Sequence, residues 1–228
     1  MATRKYEQRL RAESAEETRR TILDSVAQCL RDTPNEPLSV DRVARLAGVA
    51  RSTIYLVFGS RAGLLESFAE DLWARTGLSR VSEAVSSADV RAHLRGGIAA
   101  ASRMFAAERD VYRALFSMAH VDPASVGVTV QRMESDRAGG MAYLAQRLAE
   151  AGELRADTSV DDAAHILSVI TSFESLDQLM TARGLSLDAS IELLALIAER
   201  ALCRDRPISA SRAEGPGAGR ATRSRRAT

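Results

Sequence analysis

Apolar residues recur at helical intervals through most of this chain, and the breaks between them fall on capping residues. Thr18–Arg31 places Ile22, Leu23, Val26, Ala27 and Leu30 in the i, i+1, i+4, i+5, i+8 stripe of a helix with one buried face. Pro34 and Pro37 close it. Ser39 is a good N-cap, and Leu38 can staple onto Val43, so a short helix is expected through about Ala47, stopped by Gly48. A further short helix, Arg51–Phe58, follows, and Gly59-Ser60 sets off a longer one from Arg61 to about Thr76. The same punctuation predicts helices at Val90–Ala107, at Asp110–Ala119, from Asp122-Pro123 to Gly152, at Ser159–Arg183 and from Leu187 to about Arg204. The pattern gives an all-α protein of about nine helices.

Composition agrees with that reading. Only 4% of the 228 residues are aromatic, too few for the strand residues a sheet needs, while 46% are hydrophobic and can build a core. No 18 apolar residues run together, so a membrane span is not expected, and Cys29 and Cys203 lack the spacing of a zinc site or disulfide framework. A cytosolic protein is expected. The net charge is +1, but residues 1–60 carry +2, 61–200 carry −6 and 201–228 carry +5, counting ten, fourteen and seven Lys/Arg against eight, twenty and two Asp/Glu. The ends therefore read as a flexible basic arm, 1–16, and a disordered Arg-rich tail, 204–228, whose Pro, Gly and Ser content buries too little to offset ordering.

Residues 39–58, SVDRVARLAGVARSTIYLVF, read as helix, tight turn, helix. Val43, Ala44 and Ala47 pack one side of the first helix, and Val49, Ile54 and Phe58 anchor the second. With Ile54 inward, Ser52, Thr53, Tyr55 and Leu56 turn outward and Arg51 sits at the margin. A face of this kind fits a major groove, where Arg51 can fork onto guanine O6/N7, Ser52 and Tyr55 can meet edges or phosphates, and Thr53 can meet backbone. Arg61, in the first turn of the next helix, is placed to meet a phosphate. Ser39 completes this candidate DNA-binding set. Periodicity alone also allows a plain αα-hairpin in a bundle.

The stretch Ser39–Leu65, with LAGVARSTIYLVFGSRAGLL at its centre, resembles the DNA-binding domain of TetR-family transcriptional regulators. The resemblance implies a three-helix DNA-binding domain, 17–60, joined to a helical ligand-binding and dimerisation domain, 61–203. It also implies a homodimer on a palindromic double-stranded operator, most simply a repressor released by a small-molecule effector. Arg51, Ser52, Thr53 and Tyr55 fall where family members contact DNA, and Arg61 falls where a Lys usually meets phosphate. This chain departs from the family pattern at Ala50, in place of a Ser/Thr-type cap, and at Leu56 and Val57, where polar residues are frequent.

In the body, Trp73, Phe105, Tyr112, Phe116 and His120 are candidates to line an apolar pocket. The last two helices carry more apolar residues than one bundle face needs, so Ile166, Ile170, Phe173, Leu194 and Ile197 are candidates for a two-fold interface. No catalytic fingerprint is present. Asp162 and His165, at i, i+3, form at most half of a carboxylate-bridged metal site, so neither enzyme, metal nor cofactor is expected.

Overall fold

The first helix is twice as long as its apolar stripe. In the computed structural model, which describes residues 2–34, 36–77, 79, 83 and 87–205, α1 runs Ala2–Asp32. The arm expected to be flexible over 1–16 is therefore helical from residue 2: residues 2–31 contain no Gly or Pro and are rich in Ala, Glu, Arg and Gln, all strong helix formers. Ile22, Val26 and Leu30 are fully buried along its later turns. The expected Arg-rich tail lies outside the described residues from 206 onward.

Then come α2 (Val40–Ala47), α3 (Arg51–Phe58) and α4 (Arg61–Thr76). The body holds α5 (Val90–Ala107), α6 (Arg109–Val121), a π-helical turn over Pro123–Gly127, α7 (Val128–Glu150), α8 (Val160–Ile170), α9 (Phe173–Asp177), a second π-helical turn over Gln178–Ala182 and α10 (Leu187–Leu202). All twelve of these elements among the described residues, ten α-helices and two π-helical turns, are helical, with one isolated bridge between Leu154 and Cys203. Neither Cys29 nor Cys203 is in a disulfide, and both are buried.

One expected helix is broken. Ser159–Arg183 does not run continuously, because α8 stops at Ile170 and Ser172 caps a new helix, its Oγ accepting from Ser175 N. The break is stabilised from outside: Arg137 on α7 donates to Ser168 O at 2.8 Å and Thr171 Oγ1 at 2.9 Å, taking up acceptors at the end of α8. Local periodicity carries no trace of that long-range partner.

Head and body share α4. Leu64, Leu65, Phe68 and Leu72 are each fully buried, and α4 packs on α1 and α3 on one side and on α5 and α7 on the other. Its start passes so close over the end of α3 that a Cβ on Gly63 would lie 2.2 Å from the Phe58 carbonyl oxygen. Only glycine fits there without moving backbone. Gly139, in the interior of α7, has open space around the same position.

Gly63→Ala is expected to lower unfolding stability by ~1–3 kcal/mol through backbone displacement, while Gly139→Ala raises it by up to ~1 kcal/mol through helix propensity. Chemical denaturation of the two variants beside the parent checks both signs.

Candidate functional site

The helix-turn-helix is set by three local features. Ser39 caps α2, its Oγ accepting from Arg42 N at 3.4 Å. Gly48 ends α2 in the left-handed region, φ 65°, where residues with a side chain are strained. Ile54 and Phe58 are buried, which fixes the rotation of α3. Ser52 and Leu56 are then exposed, Leu56 by 86%, while Thr53, Tyr55 and Val57 are half-buried. Tyr55 lays its ring partly on the core and holds its hydroxyl at the surface. Ala50, at the N-cap of α3, provides no side-chain cap, as its residue type requires.

Arg51 is exposed but engaged. Its Nη1 donates to both Asp41 carboxylate oxygens at 3.1 Å, and its Nη2 donates to Tyr55 OH at 3.1 Å, with the guanidinium over the Tyr55 ring. The Tyr55 hydrogen bond and the Asp41 charge raise the Arg51 pKa further, so it is a fixed cation. A surface pair of this kind is worth ~0–1 kcal/mol, less than the ~1–3 kcal/mol of a bidentate contact to guanine. The fork is thus pre-positioned and exchangeable.

Arg61 is a correction. It does not extend toward the α3 face; it turns into the body, Nη1 donating to Ser125 Oγ at 3.0 Å and Nη2 lying 2.7 Å from Asp122 Oδ2. That approach is an ion pair without a straight hydrogen bond, and Nε makes none. Asp122 also caps the Pro123–Gly127 turn through Ser125 N, so its carboxylate sits where the first turn of α4 reaches it.

The body contains a cavity of about 330 Å³, walled by α4, α5, α6, α7 and the end of α8. Trp73, Phe105 and Phe116 line it, as expected. Tyr112 and His120 do not, and both are corrections. Tyr112 is fully buried behind Phe105, the rings edge-to-face at 5.0 Å, and its hydroxyl lies 3.0 Å from Thr76 Oγ1. Thr76 spends its own proton on Leu72 O, so Tyr112 is the donor, and burial pushes its pKa up to about 12. His120 donates from Nδ1 to Phe116 O at 3.0 Å, away from the cavity. Sequence reasoning missed the polar members of the wall: His93, Glu134, Asp136, Arg137 and Thr171. Gly140 also lines the cavity, and paired glycines in mid-helix were the one available signal that space was being kept there.

The expected interface residues separate into two groups. Ile170, Phe173 and Leu194 are buried within the chain, a correction; the break at Thr171 swings Phe173 against Phe105 and Phe116 at 5.7 and 5.4 Å, and Leu194 packs inward from α10. Ile166 is half-buried and Ile197 exposed, as are Val169 and Leu196 beside them on α8 and α10. Asp162, considered as a metal ligand, instead accepts from Ser159 Oγ at 2.6 Å, while its own N–H donates to that oxygen at 3.0 Å, so that Ser159 caps α8. Among the described residues no three His, Cys, Asp or Glu are grouped to hold a metal ion, and no helix is long and apolar enough to cross a membrane.

A three-helix head whose third helix, α3, faces solvent, fused through a shared helix to a larger body with an apolar cavity, defines a helix-turn-helix regulator class. Comparison with known proteins agrees. Residues 22–68 match the family model for bacterial regulatory proteins of the tetR family. The fold is similar to a TetR-family regulator from Rhodococcus sp. (22% identity over 81% of this chain and 97% of that one, TM-score 0.66). It is similar also to NalD of Pseudomonas aeruginosa, the secondary repressor of the MexAB-OprM multidrug efflux pump (21% identity, 84% and 100%, TM-score 0.65). A third is FadR of Bacillus subtilis, solved with stearoyl-CoA (15% identity, 79% and 97%, TM-score 0.62). No curated protein sequence matches the chain.

Because Arg61 is held by Asp122, Arg61→Ala is expected to lower stability, toward the lower end of ~1–3 kcal/mol since Arg61 stays partly exposed. The salt dependence of any DNA binding should stay unchanged; a bound phosphate lost would cut the log–log salt slope by about 1. Melting curves and binding titrations at several salt concentrations separate the two.

Proposed function

We propose that this chain is a sequence-specific DNA-binding transcriptional regulator, a repressor that acts as a homodimer on a palindromic operator and is released by a small molecule. The observation that carries the reading is the rotation of α3: Ile54 and Phe58 are locked inward, so Arg51 and Ser52 face solvent on a helix short enough to enter a major groove. Tyr55 and Thr53, at the flanks, are placed for phosphate or backbone, and Ser39 stands at the adjoining end of α2. The fold's likeness to NalD, a repressor, and to FadR, solved with a ligand, supports the two further parts.

The dimer would form through α8 and α10, where Val169, Leu196 and Ile197 are exposed although apolar. Pairing two copies covers them and sets two heads about one helical turn of DNA apart, ~34–36 Å. Release requires the ligand to prefer a state with different head separation, since a ligand of equal affinity for both states shifts nothing. The cavity between α4 and α7 is the ligand site in this reading.

Gel shifts against the DNA upstream of the chain's own gene test the core of it. Arg51→Ala is expected to lose ~1–3 kcal/mol of operator discrimination, roughly 5- to 150-fold in affinity, and Ser52→Ala less. Parent-like binding by both, at matched salt, removes α3 as the reading helix. No binding by the parent would leave a helical ligand-binding protein without DNA function. In size-exclusion chromatography the parent should elute as a dimer at micromolar concentration, and Val169→Asp with Ile197→Asp as a monomer, because two buried, unpaired carboxylates oppose the interface.

A further inference from the structure

We infer that the body cavity selects an uncharged, largely apolar ligand bearing a hydrogen-bond acceptor, and rejects carboxylates, because the one arginine that the described residues place on its wall is already neutralised by Glu134. This deepens the effector reading above and rests on it. Among the described residues Arg137 is the one Arg or Lys lining the cavity. Its Nε donates to both Glu134 oxygens at 3.2 and 3.1 Å, Nη2 to Glu134 Oε2, and Nη1 to Ser168 O and Thr171 Oγ1. Four of its five N–H groups are thereby committed, and the guanidinium is mostly buried, with side-chain exposure of 15%.

An incoming carboxylate would have to displace Glu134 or lie beside it in a desolvated space, and like charges so placed oppose each other. A cation fares no better, since Glu134 is spent on Arg137 and Asp136, the other acid on the wall, is exposed to water. What the interior leaves available is a neutral donor. His93 is buried, and Arg147 Nη1 lies 3.0 Å from its Nδ1; an arginine can only donate, so Nδ1 accepts and the ring proton sits on Nε2. Burial and the Arg147 charge both hold His93 in the neutral form. Its Nε2–H makes no hydrogen bond to the described residues. Trp73 adds a second neutral donor, its buried indole N–H having no hydrogen-bond partner among the described residues, and the remaining wall, including Ile98, Met104, Phe105, Phe116 and Met141, is apolar and adaptable.

Three probes of one chain length separate the outcomes: decan-1-ol, decanoate and decyltrimethylammonium, each added to the full chain in thermal-shift and calorimetric titrations. Decan-1-ol is expected to raise the melting temperature and to bind on the order of tenfold or more tighter than either charged probe. In Glu134→Gln, which keeps the side-chain shape and frees the Arg137 charge, decanoate is expected to overtake decan-1-ol. Decanoate or the ammonium probe binding the parent as well as the alcohol overturns the inference while leaving the cavity a ligand site. If no probe shifts the melting temperature, the ligand-site reading falls, and the inference with it. A Glu134→Gln protein that melts far below the parent removes the second arm only, and the parent's ranking of the three probes still decides.

Discussion

Everything functional in this chain depends on one helix being buried from two sides. In a typical two-part protein the connecting segment is exposed, and the parts move independently. Here α4 contributes Leu64, Leu65, Phe68 and Leu72 to a single continuous core that extends from α1 and α3 into the body. Cores of this kind are close-packed and resist continuous deformation. The position of the α3 face is therefore set by the same packing that forms one wall of the cavity. Gly63 sharpens the constraint, because its absent side chain lets α4 start directly over the last carbonyl of α3.

Charges reinforce the joint at both ends of α4 without dominating it. Arg61 reaches Asp122 and Ser125 at the start. Arg75, near the end, lies 3.4 Å from Asp24 on α1 and 4.0 Å from Glu108, which also pairs with Arg31. Most of these groups keep some contact with water, where each pair contributes ~0–1 kcal/mol, whereas burying each leucine or phenylalanine side chain contributes ~1.5–3 kcal/mol. The apolar contacts hold α4, and the ion pairs choose its register. This explains why an arginine at position 61 can be recruited inward: the carboxylate that caps the Pro123–Gly127 turn lies within its reach.

Much of the fold was legible because its signals are local. Ser39, Gly48, Ser60, Gly184 and Ser186 each mark an element boundary through a cap or a left-handed turn, and each does so in the structure. The inward set of α3 followed from a 100° rotation per residue and one anchor, Ile54. What failed needed distant partners. The end of α8 depends on Arg137, more than thirty residues upstream, and with that end went the assignment of Ile170 and Phe173 to a surface. Arg61 was misplaced for the same reason, since only the folded chain brings Asp122 to it. The cavity was legible in its aromatic residues and illegible in its polar ones: large apolar side chains announce a body core, but the meeting of His93 on α5 with Arg147 on α7 depends on how two helices are rotated against each other.

Trp73 shows how these levels meet in one residue. It belongs to α4 by sequence and lines the cavity with its ring, while its indole N–H is buried without a hydrogen-bond partner. A buried, unpaired donor costs free energy that a small rotation of the ring can recover, so this side chain has a stake in any rearrangement of the wall. One turn toward the N-terminus on the same helix, Ala69 and Phe68 pack in the core, and Leu64 and Leu65 lie beneath α3. Helices transmit such shifts as rigid rods because their internal hydrogen bonds leave little axial give. A ligand that reseats Trp73 therefore acts on the element that orients Arg51 and Ser52. The size of its effect is bounded by the difference in its affinity for the two wall arrangements.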